Sequence, residues 1–272
     1  MLYSLFSSIN SLEILKSISS RSCLAAFTAF FISIFFGHWF IKRLRSLKVG
    51  EDTTKTDSEE LKRMHFDKKN TPTMGGIVII VSILVSVLLW CNIYNEYILL
   101  LMFTLIWFGI LGFIDDYIKL TQTKAAGLTD VSKLLFQSAL GLILGLILYF
   151  HMKKFAWGTH VVIPLVKDFR PDLGPLYILF VTFFIVGMSN AVNLTDGLDG
   201  LAIGCGIIAG IAFAVVAYVS GRMDFSNYLR ILYIPGSGEL SVFCAALAGG
   251  GLGFLWYNCF PAQVFMGDTG SL

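Results

Sequence analysis

Residues 97–116 read YILLLMFTLIWFGILGFIDD: eighteen residues without a charge, closed by two adjacent aspartates. A run of that length spans the roughly 30 Å hydrocarbon core of a bilayer as a helix. Six further stretches behave alike, so spans are expected at 23–41, 75–91, 97–114, 134–150, 175–192, 201–220 and 240–257. The whole chain agrees: 56% hydrophobic residues, 14% charged and a mean hydropathy of +0.76 exclude an ordinary soluble domain. The expected fold is all-α, a polytopic integral membrane helix bundle forming one membrane domain over 1–272. Residues 1–22 have no basic start and no small-residue cleavage site, and read as an interfacial lead-in.

Seven crossings sort the connections into two sides. Loops 42–74, 115–133, 193–200 and 258–272 carry twelve Lys/Arg against eight on the other side, nine of them within 42–74. Basic residues accumulate in short cytoplasmic loops, which places the N-terminus outside and these loops inside. The net charge of +2 leaves no surplus for nucleic acid. Five cysteines without a CxxC pair suggest neither a disulfide framework nor a zinc site, and the four histidines form no cluster. Pairs of glycines four apart (141/145, 200/204, 206/210, 249/253) permit close helix packing.

The acids sort more sharply than the bases. Asp115 and Asp116 end the third span, Asp196 and Asp199 lie between the fifth and sixth, and Asp268 follows the seventh, all on the inner side. Adjacent carboxylates repel unless a cation or a shared proton relieves them. Oxygen ligands without His or Cys favour Mg²⁺ or Mn²⁺, which commonly bind phosphates at the same time. Lys68, Lys69, Lys119, Lys124 and Lys133 sit on the same side and suit a phosphorylated substrate, although lysines there also serve topology and lipid headgroups. A cation-coupled transporter would also gather acids, yet near mid-membrane, and the seven spans contain none. The longer aspartate pattern of CDP-alcohol phosphotransferases is absent, and a lipid-binding scaffold leaves the one-sided acids unexplained.

Four segments, in order along nearly the whole chain, resemble the phospho-N-acetylmuramoyl-pentapeptide transferases, a bacterial family of polyprenyl-phosphate sugar-1-phosphate transferases. They are Thr71-Pro72-Thr73-Met74-Gly75-Gly76, Phe113-Ile114-Asp115-Asp116-Tyr117, the SNAVNLTDGLDGLA run 189–202, and Phe265-Met266-Gly267-Asp268-Thr269-Gly270-Ser271. The third is shared with relatives that transfer N-acetylglucosamine phosphate, the alternative activity; the first points to the muramoyl-pentapeptide branch. The resemblance implies UDP-N-acetylmuramoyl-pentapeptide and undecaprenyl phosphate as substrates, Mg²⁺ as cofactor, and a site facing the cytoplasm of the bacterial inner membrane. Membrane lipids are the expected surroundings, and a homodimer is compatible with this reading.

By motif position, Asp268 resembles the Mg²⁺ ligand, and Asp115 and Asp116 the acid pair that deprotonates the lipid phosphate or acts as nucleophile. Lys68 and Lys133 resemble lysines near the diphosphate, and Asn193 and Asp196 active-site polar groups. Gly197, Leu198, Asp199 and Phe265 resemble a uridine pocket, with Asn258 and Thr73 as further substrate contacts. Family members continue past the Gly-Asp motif into further helices and a His-rich inner loop. Against that pattern, the end at Ser271-Leu272 is expected of a truncated sequence. A groove for the polyprenyl chain is expected between helices, with the glycine-rich seventh span as its candidate wall.

Overall fold

The structure, a computed structural model, describes residues 16–46, 71–121, 127–155, 158–161 and 169–272. Its described residues form helices α1 (Ile18–Ser46), α2 (Gly76–Trp90), α3 (Glu96–Thr121), α4 (Asp130–Met152), α5 (Leu176–Thr195), α6 (Leu201–Ser220), α7 (Met223–Leu229), α8 (Gly238–Asn258) and α9 (Asp268–Ser271). The one β-type pairing among them is an isolated bridge between His160 and Asp172. Six helices are long and apolar enough to cross a membrane, so the chain is a multi-pass helical membrane protein. The remaining expected span, 75–91, is α2, with 15 residues, about 22 Å of helix.

The burial pattern is that of a protein in lipid. Along α1, Arg21, Ala25, Ala29, Ser33, Gly37 and Ile41 are buried at every fourth position, whereas Phe27, Phe31, Phe35 and Trp39 point outward. Small residues go inward because lipid already solvates the large apolar ones, leaving close packing as the force between helices. Helix α8 is the most enclosed of the long helices and packs on α1, α6 and α2. A Cβ on Gly249 would lie 2.1 Å from the Ala26 carbonyl oxygen, and one on Gly253 would lie 2.7 Å from that of Phe30. Gly141 and Gly145 of α4 meet Thr182 and Ile178 of α5 in the same way.

Two expectations are corrected here. Gly204 and Gly206 have nothing within 4 Å of an added Cβ, whereas Gly200 and Gly210 face Leu255 and Leu247 of α8, so each α6 pair has one packed and one open member; spacing reveals a face without saying whether anything covers it. The glycines of α8 are buried in helix contacts. An apolar groove of about 320 Å³ lies between α2 and α3, walled by Ile77, Ile80, Leu84, Ile106, Ile110 and Phe113, with Thr269 at one end.

Contacts between loops agree with the two-sided sorting. At one end Arg21 makes a bidentate ion pair with Glu239, at 2.6 and 2.8 Å, and also reaches the Trp90 carbonyl; Asn92 donates its backbone N–H to the same glutamate. Nearby, Asn95 donates to Gly236 and His151 lies 2.6 Å from Glu96. The Arg21 and Glu239 side chains are only 3% and 12% exposed. Arg21→Met therefore leaves a buried carboxylate without its cation and should cost about 3–5 kcal/mol. The double variant Arg21→Met/Glu239→Leu should recover most of that loss in denaturant unfolding of the detergent-solubilised protein. An unchanged midpoint for Arg21→Met would contradict this role.

Candidate active site

The opposite end gathers all four motifs. Two backbone segments distant in sequence pair directly: Phe265 N–H donates to the Pro72 carbonyl (2.8 Å), Gly75 N–H to Phe265 (2.9 Å) and Gly76 N–H to Met266 (2.8 Å). The glycines are required by closeness. A Cβ on Gly76 would sit 2.2 Å from the Gly270 nitrogen, and one on Gly112 would sit 2.2 Å from the Asp268 carbonyl oxygen. Gly267 adopts φ +73°, a left-handed conformation glycine accepts at no steric cost, and so turns the chain into α9. An added Cβ there would meet Asp116 Oδ2 at 2.6 Å and Thr73 Oγ1 at 2.8 Å, which puts buried Thr73 against the turn that delivers Asp268.

Asp115 and Asp116 were expected to end a span. The helix instead runs on to Thr121, and both are buried within it, 0% and 2% exposed. Lys119, one turn on from Asp115, supports this continuation with an i,i+4 ion pair at 2.8 Å, acid N-terminal to base. The neighbouring acids then diverge in task. Asp116 accepts the backbone N–H of Asp268 (3.1 Å), that of Thr269 (3.0 Å) and the Thr269 hydroxyl (2.6 Å), so it caps the first turn of α9. Asp115 accepts the Leu128 N–H (2.7 Å) and faces Lys119 and Lys133, the latter at 3.1 Å.

Asp268 is approached from three sides. Lys133 from α4 donates to Oδ2 at 2.5 Å, Lys119 from α3 lies 3.2 Å from the same oxygen, and Asn193 from α5 donates to Oδ1 at 3.2 Å and to Ser271 Oγ at 2.8 Å. Burial pushes the Asp268 carboxyl up, but the Lys119 and Lys133 ammoniums outweigh it and hold the group below the ordinary carboxylate range. Carboxylate oxygens of Asp115, Asp116 and Asp268 all lie within 4.8 Å of one another. Three carboxylates and two ammoniums leave a formal surplus of one negative charge. Asp115 Oδ2 is buried and, among the described residues, receives no hydrogen bond of good geometry, although the Lys119 ammonium is 2.8 Å away. An oxygen-only donor set with surplus negative charge fits a hard divalent cation.

The remaining expected residues form an adjoining rim. Asp196 caps the C-terminus of α5, and Gly197, Leu198 and Asp199 follow, with open space around Gly197 and Leu198 exposed. Asp199 Oδ2 accepts the Ala262 N–H at 3.0 Å. Buried Asn258 accepts the Gly200 N–H (3.1 Å) and donates to the Val264 carbonyl (3.0 Å), so both its polar atoms lace this rim to the strip leading to Phe265. Lys68 lies outside the described residues. Of the lysines expected to suit a phosphorylated substrate, Lys119 joins Lys133 in the polar cluster, and the structure adds Thr269 and Ser271 to it.

Comparison with known proteins agrees with the motifs. Residues 97–272 match Glycosyl transferase family 4, and residues 68–80 match the phospho-N-acetylmuramoyl-pentapeptide-transferase signature 1. The chain is 45% identical over 271 residues to the phospho-N-acetylmuramoyl-pentapeptide-transferase of Oleidesulfovibrio alaskensis, and 46% identical over 272 residues to that of Thermodesulfovibrio yellowstonii. The corresponding protein of Syntrophus aciditrophicus is 43% identical over 272 residues. In each case the alignment takes in 100% of this chain and 74% of the relative.

Proposed function

Since the chain belongs to the phospho-N-acetylmuramoyl-pentapeptide-transferase family, we propose that it transfers phospho-N-acetylmuramoyl-pentapeptide from its UDP-linked form to undecaprenyl phosphate, releasing UMP and forming lipid I. The observation that carries the chemistry is the meeting of Asp115, Asp116 and Asp268 within 4.8 Å at the end of the bundle where four motifs converge. The protein is a single membrane domain of a bacterial inner membrane, N-terminus outside, with this end facing the cytoplasm. A phosphate anchored by a membrane-embedded chain stays near the headgroup plane, and helix ends are where groups can reach it.

Asp268 would hold Mg²⁺, with Asp115 beside it, and the ion when bound would supply positive charge to the diphosphate and the departing UMP. Asn193 and Lys133 fix the two oxygens of Asp268. Lys119 and Lys133 place two ammoniums where charge develops on the transferred phosphoryl group. Lys68 joins them at the diphosphate. Asp116, its oxygens filled by three hydrogen bonds, keeps the Asp268 backbone in place. Gly197, Leu198, Asp199 and Phe265 receive the uridine, Asp196 lies between the two regions, and Asn258 and Thr73 hold the walls.

Single displacement is favoured over a covalent intermediate. A phosphate monoester has its second pKa near 6 and is mostly dianionic at neutral pH, so the acceptor needs no strong base. Asp115 is buried and engaged by Leu128, Lys119 and Lys133, which blunts it as a nucleophile. With UDP-N-acetylmuramoyl-pentapeptide and no acceptor, the full-length protein should release no UMP and carry no added phosphosugar by intact-mass spectrometry. An adduct on Asp115 would establish the two-step route.

A further inference from the structure

Below the carboxylates lies a second polar layer with no part in the chemistry above. Gln137 is wholly buried in α4, one turn beyond Lys133 on the same face. Asn190 of α5 donates to Gln137 Oε1 at 2.7 Å, and Gln137 donates to Ser189 Oγ at 3.3 Å. Asn190 also donates to the Val186 carbonyl, and Ser189 donates to the carbonyl of Leu272 at 3.1 Å, just after α9. Asn193, which holds Asp268 from the other side, lies one turn further along α5.

We propose that the Gln137–Asn190–Ser189 bridge is a positioning device. It fixes the register of α4 against α5, and so sets Lys133 and Asn193 on the two oxygens of Asp268. The α4–α5 seam is close and smooth: Gly141 faces Thr182, Gly145 faces Ile178, and neither glycine has a side chain to interlock. A slip of one residue moves a helix by about 1.5 Å, enough to break a 2.5 Å contact. Between membrane helices close packing and interhelical hydrogen bonds supply the attraction, and of the two a hydrogen bond is the one that requires a particular register. The bridge also reaches Leu272, tying both helices to the segment that carries Asp268.

This inference rests on the reading of Asp268 as the reacting centre, and two readouts separate them. The first is free of metal: the acetylation rate of Lys133 by N-hydroxysuccinimidyl acetate, followed by mass spectrometry relative to exposed Lys153 at the other end. Gln137→Met and Asn190→Leu should each raise that ratio several-fold, and the double variant should add nothing, because both remove one bridge. The second is Mn²⁺ affinity by EPR of the free ion, which should fall about tenfold in either variant, as for residues that orient a metal ligand. If one variant does not fold, the other decides. An unchanged Lys133 ratio, or additive effects in the double variant, overturns the bridge as a positioning device. Wild-type protein that binds no Mn²⁺ defeats the metal reading while the lysine result still judges the bridge.

Discussion

Asp268→Asn should lower UMP release by the full-length protein on the order of a thousandfold or more. Asparagine keeps the shape, so Asn193 and the backbone cap from Asp116 find almost the same neighbour. What goes is the charge that answers Lys119 and Lys133 and that binds the cation. Loss of one electrostatic stabiliser of a transition state typically costs 10²–10³-fold, and loss of the metal it holds adds to that. Asp116→Asn should behave differently. Its effect should come with a measurable loss of stability, since three donors from α9 lose a full carboxylate acceptor. If Asp268→Asn retained turnover within tenfold of wild type, the assignment of Asp268 would be lost.

Gly112→Ala should damage packing and chemistry together. The added carbon would fall 2.2 Å from the Asp268 carbonyl oxygen and 2.5 Å from Thr269 Cα, both backbone atoms that no rotamer change can move. Relief requires α9 to lift from α3, which separates Asp268 from Asp116. Overpacking of this kind costs about 3 kcal/mol, and the same displacement should abolish transfer. Gly187→Ala is the internal control: nothing lies within 4 Å of its added Cβ, and an alanine in a helix is favoured over glycine by about 1 kcal/mol. A Gly112→Ala protein with wild-type unfolding midpoint and activity would show that the motif glycines are not packing contacts.

Much of this architecture was legible because lipid imposes simple rules. Span length, the side on which each loop emerges and the gathering of five aspartates on one side follow from hydropathy and parity alone. Hydropathy ends a span where charge begins, and so it stopped the third helix at residue 114. The backbone does not stop there, because the Asp115–Lys119 pair and the docking of α9 on Gly112 favour about two further turns. Glycine spacing found the α4–α5 and α1–α8 seams but equally proposed α6 pairs in which only Gly200 and Gly210 meet a neighbour. The division of labour between Asp115 and Asp116 was illegible, since Asp116 answers to Thr269, 153 residues away in sequence. Gln137 was a lone amide in an apolar run, a signal that means little until its partner on α5 is known.

The most direct test is pulsed EPR of Mn²⁺ bound to the protein together with UDP-N-acetylmuramoyl-pentapeptide. The account predicts a ³¹P hyperfine coupling from the diphosphate to the manganese, present in wild-type protein and lost in Asp268→Asn. Manganese bound equally well by Asp268→Asn, or bound beside the nucleotide without any phosphorus coupling, would contradict it.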